Sequence, residues 1–125
     1  KVYVFSDANG AAITLPDSAF GSLEGVYYDF IVGTTTGSGS HTVVCSNTTT
    51  EKLYGQLTTI DTDTANALEV FIAQDGDNYS AVNMNGAHTG IIGSSFRIRN
   101  FGTNKWHIEG HLHITGNAAT PFSTS

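Results

Sequence analysis

Residues 106–114 alternate without a break, and this one stretch ties the chain to a sheet-built fold. Trp106, Ile108, Gly110, Leu112 and Ile114 share one parity, while His107, Glu109, His111 and His113 take the other. Successive side chains of a strand point to opposite faces, so the first set packs on a facing layer and the second lies outside. Gly110 within the apolar row permits a bend or a close backbone approach.

Further β-prone segments follow the same logic. They are Lys1 to Phe5, Ala11 to Leu15, Gly25 to Val32, His41 to Cys45, Leu53 to Ile60, Tyr79 to Met84 and Phe96 to Asn100. Blocks rich in Gly, Ser, Thr, Asn and Asp separate them, and strands at such spacing with turn chemistry between them predict a sandwich or a barrel-like sheet pair. Between Asp61 and Phe71 the pattern is ambiguous: a short helical turn competes with a strand at Val70-Phe71-Ile72. A chain of 125 residues is one domain by length. The predicted fold is all-β: an antiparallel β-sandwich or jelly-roll-like single domain over residues 11–125, with an extended N-terminal segment over residues 1–10.

Two segments are apolar beyond what a half-solvated strand needs. Gly25 to Val32 places Val26, Tyr28, Phe30 and Val32 on one face and Tyr27, Asp29 and Ile31 on the other. Both faces are largely apolar, which marks an inner strand or an interface. Val2, Tyr3, Val4 and Phe5 form a short hydrophobic strand whose backbone must pair with something. It either docks as an edge strand in its own sheet or adds to the sheet of a neighbouring subunit.

Charge narrows the partners. Eleven carboxylates stand against five Lys and Arg, giving a formal charge of −6, and such a surface repels phosphate backbones. No nucleic-acid partner is expected. Arg97 and Arg99 share one strand face, either as a solvated or carboxylate-paired face or as an anchor for an acidic patch on a partner. Cys45 is the single cysteine, so no intrachain disulfide forms, and its apolar setting predicts a small buried hydrophobe. No apolar run approaches the roughly 20 residues of a membrane-spanning helix, no signal-peptide pattern occurs, and no membrane partner is expected.

Motifs for chemistry are sparse. His107-x-Glu109-x-His111-x-His113 is the one metal-like pattern, but strand geometry spaces its members about 7 Å apart in a row, and zinc sites usually draw ligands from neighbouring strands as well. The expectation is a polar outer face without a metal. Asp61/Asp63 and Asp75/Asp77 open like calcium loops, yet neither continues with the Gly and Glu that an EF-hand loop requires. Gly90-Ile91-Ile92-Gly93 lacks the Lys of a phosphate loop and the third Gly of a dinucleotide fingerprint. No cofactor is expected, and an enzyme is the least supported class.

The order of blocks in the chain carries a resemblance. Asn85-Gly86 and Thr89-Gly90-Ile91-Ile92-Gly93 lead into Phe96-Arg97-Ile98-Arg99-Asn100, then Trp106 to Ile114 with Gly110, and finally Thr120-Pro121-Phe122-Ser123. With Ile13-Thr14-Leu15-Pro16, Gly25 to Val32 and His41-Thr42-Val43-Val44 upstream, this order resembles the capsid decoration, or cement, proteins of tailed bacteriophages. The resemblance implies a β-sandwich-like trimer on the outer surface of the virion capsid, bridging capsomers of the major capsid protein. Under it, Thr120, Pro121 and Phe122 match the family's closing block, while Tyr27, Ile31, His107, His111 and His113 are candidates for the trimer contact. Val2, Tyr3, Val4 and Phe5 are capsid-binding candidates from hydrophobicity alone. Two other readings stay open: a trimeric tail-fibre or receptor-binding module contacting host glycans, and a small metal-dependent enzyme using the histidine row.

Overall fold

The computed structural model describes residues 1–18, 25–63 and 67–124. Its strands are β1 (Val2–Phe5), β2 (Ala12–Thr14), β3 (Tyr27–Val32), β4 (His41–Val44), β5 (Lys52–Asp61), β6 (Leu68–Ala73), β7 (Ala81–Met84), β8 (Ser95–Gly102), β9 (Lys105–Ile114) and β10 (Phe122–Ser123). They form a six-stranded sheet ordered β1-β3-β8-β9-β5-β6 and a four-stranded sheet ordered β10-β7-β4-β2. The all-β expectation holds, and the sheets do not close into a barrel. β6 settles the ambiguous stretch as strand from Leu68 onward; the helical turn weighed for it falls partly on residues 64–66, outside the described residues.

The expectation of antiparallel sheets is corrected: both sheets are mixed. β1 runs parallel to β3, β2 to β4 and β5 to β9. Parallel neighbours need a long crossover rather than a hairpin, and in each case intervening chain supplies it. Alternation along a strand reports which face is buried but not which way the neighbour runs, so the sequence pattern carried no sign of this. The β8–β9 hairpin is the tight exception. Thr103-Asn104 turns it, Asn104 takes φ +64°, and a bulge lies between Asn100 and Gly102. Asn tolerates the left-handed conformation better than other non-glycine residues.

The inner faces of the two sheets share one core. Phe5, Phe30, Leu53, Leu57, Phe96, Ile98, Trp106, Ile108 and Leu112 come from the larger sheet, and Val43, Val82, Met84 and Phe122 from the smaller. All the apolar positions read from the β9 alternation face inward: Trp106, Ile108 and Leu112 are fully buried and Ile114 nearly so. Aromatic rings run through the core, with Phe30 stacked between Phe5 at 6.2 Å and Phe96 at 5.2 Å. Cys45 is buried as expected. Burial, followed by the Glu51 carboxylate, pushes its thiol up to about 12, so little thiolate exists near neutrality.

Gly55 and Gly110 set how tightly the centre of the large sheet is drawn together. Gly55 adopts φ +140°, and a Cβ there would overlap the carbonyl of Ile108 on the parallel neighbour. A Cβ on Gly110 would overlap the Ser95 carbonyl and the Phe96 backbone on β8. The close approach expected at Gly110 is present.

Candidate functional site: the outer face of the large sheet

Parity fixes what the large sheet shows on its outer side. β1 contributes Val2 and Val4, β3 Tyr27, Asp29 and Ile31, and β8 Ser95, Arg97, Arg99 and Phe101. β9 adds Lys105 and the His107, Glu109, His111, His113 row; β5 adds Tyr54, Gln56, Thr58 and Ile60; β6 adds Leu68, Val70 and Ile72. A solvated sheet face normally alternates to polar residues. This one does not. Val2, Val4, Tyr27, Ile31, Leu68, Val70, Ile72 and Phe101 are each between 39% and 68% exposed. Among the described residues Ile92 is the one other large hydrophobic so exposed.

Between the apolar margins the face is polar and organised. Arg97 donates from Nε to Oδ1 of Asp29 at 2.7 Å and from Nη2 to Oδ2 at 3.0 Å, a bidentate pair across β3 and β8. The guanidinium beside it holds the Asp29 carboxyl below its ordinary range. Arg97 and Arg99 both reach over the Tyr27 ring, at 4.2 and 5.3 Å from its centroid. Such cation–π contacts hold Arg side chains in place at little solvation cost. For Arg97 the carboxylate-paired reading is therefore correct, whereas Arg99 remains an exposed cation without a carboxylate hydrogen bond among the described contacts. Two shallow depressions of about 340 and 260 Å³ lie on either side of Glu109 and Gly110, the first bounded by Val2, Ile31 and Arg97, the second by Gln56, Thr58 and His111.

Not every predicted contact residue lies here. Val2 and Val4 do, but Phe5 is buried and Tyr3 half-buried, with its ring stacked on Phe30 at 5.6 Å. β1 docks as an edge strand of its own sheet, the first of the two expectations for it. Phe122 is buried in the closing strand of the smaller sheet, Pro121 is buried just before it, and Thr120 is exposed. Of the candidate residues, Val2, Val4, Tyr27, Ile31, Arg97, Arg99, His107, His111 and His113 come together on one face. The histidines stand in a row as strand geometry requires, and among the described residues no three His, Cys, Asp or Glu converge to hold a metal ion.

Sequence reading missed Leu68, Val70, Ile72 and Phe101. The signal was present in β6, where apolar residues occupy both parities just as in Gly25 to Val32, but the competing helical reading hid it. It also missed Glu51. That side chain is 1% exposed, yet it accepts hydrogen bonds from Trp106 Nε1 at 3.1 Å and from the backbone N–H groups of Ser18 at 3.0 Å and Asn47 at 2.8 Å. Ser18 in turn accepts from the Asn104 N–H at 2.9 Å, so one buried carboxylate ties the β8–β9 turn, the 47–51 turn and the Trp strand together. Burial raises the Glu51 pKa, but hydrogen bonds from Trp106, Ser18 and Asn47 outweigh it and leave the group below its ordinary 4.5.

A pH dependence follows. A carboxyl depressed on folding contributes stability that is fully present above the unfolded-state pKa and lost as pH falls through the folded value. Urea denaturation across the acid range should show stability falling below about pH 4.5, and Glu51→Gln should be weaker at neutral pH with a flatter acid slope. Asp29 shifts the same way, so Asp29→Asn supplies the comparison. An unchanged acid slope in Glu51→Gln would remove Glu51 from this role.

Compared with known protein families, curated proteins and solved structures, the chain matches none of them.

Proposed function

We propose that the chain is a structural virion protein, a capsid decoration protein. In this reading it binds the outer surface of an assembled phage head as a trimer and stabilises the shell by bridging neighbouring capsomers, with its two sheets forming a sandwich-like domain. The observation that carries the reading is the concentration of exposed large hydrophobics on one outer sheet face. Exposed apolar strips rimmed by polar residues on a folded domain mark an interaction site, and here two such strips flank a polar middle. The block order from Ile13 to Phe122 points to the kind of partner. A threefold cap repeats one modest contact three times, and linkage multiplies the effective affinity. A protein that binds only the assembled shell stabilises it by mass action and needs no catalytic group.

The test is the copy number of this chain relative to the major capsid protein in purified virions, by quantitative mass spectrometry. A near one-to-one ratio is expected. A ratio of a few per hundred would move the protein to the tail or its fibres, the glycan-binding alternative, and absence from virions would overturn both. Removing residues 1–5 is a poor probe of the N-terminal strand, because Phe5 belongs to the core and β3 would lose its neighbour. The Val2→Ser/Val4→Ser pair alters only the exposed side; it should lower head occupancy and leave the melting temperature within a few degrees.

A further inference from the structure

The charge of the outer face is opposite in sign to that of the protein. Four of the five Lys and Arg lie on its strands with outward parity: Lys52, Arg97, Arg99 and Lys105. The outward carboxylates of the same strands are Asp29 and Glu109, so the outward-parity residues sum to a formal +2, while half-buried Asp61 and exposed Glu69 take the other parity on β5 and β6. The chain carries −6, so the remainder carries −8. Three of the five histidines, His107, His111 and His113, lie on the same face. At the rim, Asp75 borders a depression with Tyr54, Phe101 and Lys105.

We propose that this face docks on the shell surface of a different protein, and that the docked surface is acidic with apolar ground on either side. The identification of that partner as the capsid rests on the function proposed above. Complementary potentials set register and partner choice at an interface, while the buried apolar part supplies most of the affinity. Leu68, Val70 and Ile72 on one margin and Val2, Val4 and Ile31 on the other are the apolar anchors. Between them Arg99, braced over Tyr27 and without a carboxylate hydrogen bond among the described contacts, is an exposed cation.

A second copy of the chain fits this face poorly. A two-fold contact brings the same patch against itself, and here it would set the outward cations, Arg99 among them, against their own kind. A head-to-tail contact needs a second, different apolar patch. Among the described residues only Ile92 remains outside this face as a large exposed hydrophobic. An extended anionic polymer such as duplex DNA would meet the cations but leave the apolar margins unused. This assignment turns the face, with Tyr27, Ile31 and the histidine row, toward the shell. Contacts between copies then fall to other surfaces, the outer strands β1 and β6 of the sheet order among them.

The experiment is titration of wild-type protein and variants onto heads stripped of this chain, with sedimentation of each variant to give its oligomeric state. Arg99→Glu should weaken binding at least about tenfold, as truncated or reversed interface charges do, and Arg99→Lys should retain most of it. The Val70→Ser/Ile72→Ser pair should weaken binding by a similar factor. Glu109→Gln should strengthen it, an outcome that damage to the fold would not produce. All four should sediment like wild type, and binding should weaken as salt rises. Equal binding by Arg99→Glu, the serine pair and wild type would overturn the assignment while leaving the capsid reading intact. Loss of self-association in Arg99→Glu or in the serine pair would give the face to a sister copy, and a DNA mobility shift abolished by Arg99→Glu would give it to nucleic acid. Failure of the wild type to bind heads at all would remove the capsid reading and this assignment with it.

Discussion

Trp106→Ala is expected to cost on the order of 3–5 kcal/mol from the lost side chain alone, and more in this chain because of what Trp106 holds. The ring is fully buried, packed on the inner face of β9 with Tyr28 6.4 Å away. Alanine would open a cavity that the surrounding strands cannot collapse into, since β5 and β8 are hydrogen-bonded on either side of β9. It would also remove the indole N–H from Glu51 Oε1, leaving a buried carboxylate one donor short. A hydrogen bond to a charged group contributes roughly 1.5–3 kcal/mol, and its loss adds to the cavity. Trp106→Phe separates the two parts: it keeps most of the packing and loses only the donor, so it should cost clearly less. Equilibrium urea denaturation of the three proteins measures this. A Trp106→Phe cost equal to that of alanine would mean that the hydrogen bond to Glu51, and not the packing, dominates.

The pairing of Trp106 with Glu51 also shows where sequence reasoning stops. The alternation of 106–114 placed Trp106, Ile108, Leu112 and Ile114 inside and His107, Glu109 and His111 outside correctly, because period 2 is a local property of a strand. The partner of the indole was invisible. Glu51 lies in a Thr-rich turn, 55 residues away in the chain, and a buried carboxylate there has no local signature. Strand direction was equally hidden, since β5 lies parallel to β9 through a crossover that no residue pattern announces. The outer face was half legible. Arg97, Arg99 and the histidine row followed from parity along single strands. That Val2, Ile31 and Val70 belong to the same surface required the strand order, which brings together β1, β3, β8, β9, β5 and β6 from across the chain. Tyr3 and Phe5 illustrate the reverse case. Hydrophobicity marked all of Val2 to Phe5 as one sticky segment, and only docking against β3 divides it into an inner and an outer half.

Gly55→Ala should destabilise the protein by roughly 2–6 kcal/mol, combining backbone strain of about 1–3 with overpacking of about 1–3. Gly55 sits at φ +140°, which L side chains rarely adopt, and its missing Cβ would fall on the Ile108 carbonyl. That obstacle is backbone in the parallel strand, so no rotamer change relieves it; β5 and β9 must separate. Gly110→Ala acts on the other side of β9, against Ser95 and Phe96 of β8, and should cost a similar amount through overpacking. Gly37 is the control, because its Cβ would meet open space and its backbone is not in the left-handed region; Gly37→Ala should stay within about 0.5 kcal/mol. The two core substitutions carry a functional consequence that a simple loss of stability would not. Both spread the strands that set Arg97 opposite Glu109 and Gln56 beside Glu109 on the outer face. At temperatures where each variant remains folded, the attachment to phage heads proposed for that face should already be weakened, while Gly37→Ala binds as wild type. If Gly55→Ala and Gly110→Ala melt as the wild type does, the centre of the sheet is looser than its backbone contacts imply, and the spacing of the outer face is not fixed by these glycines.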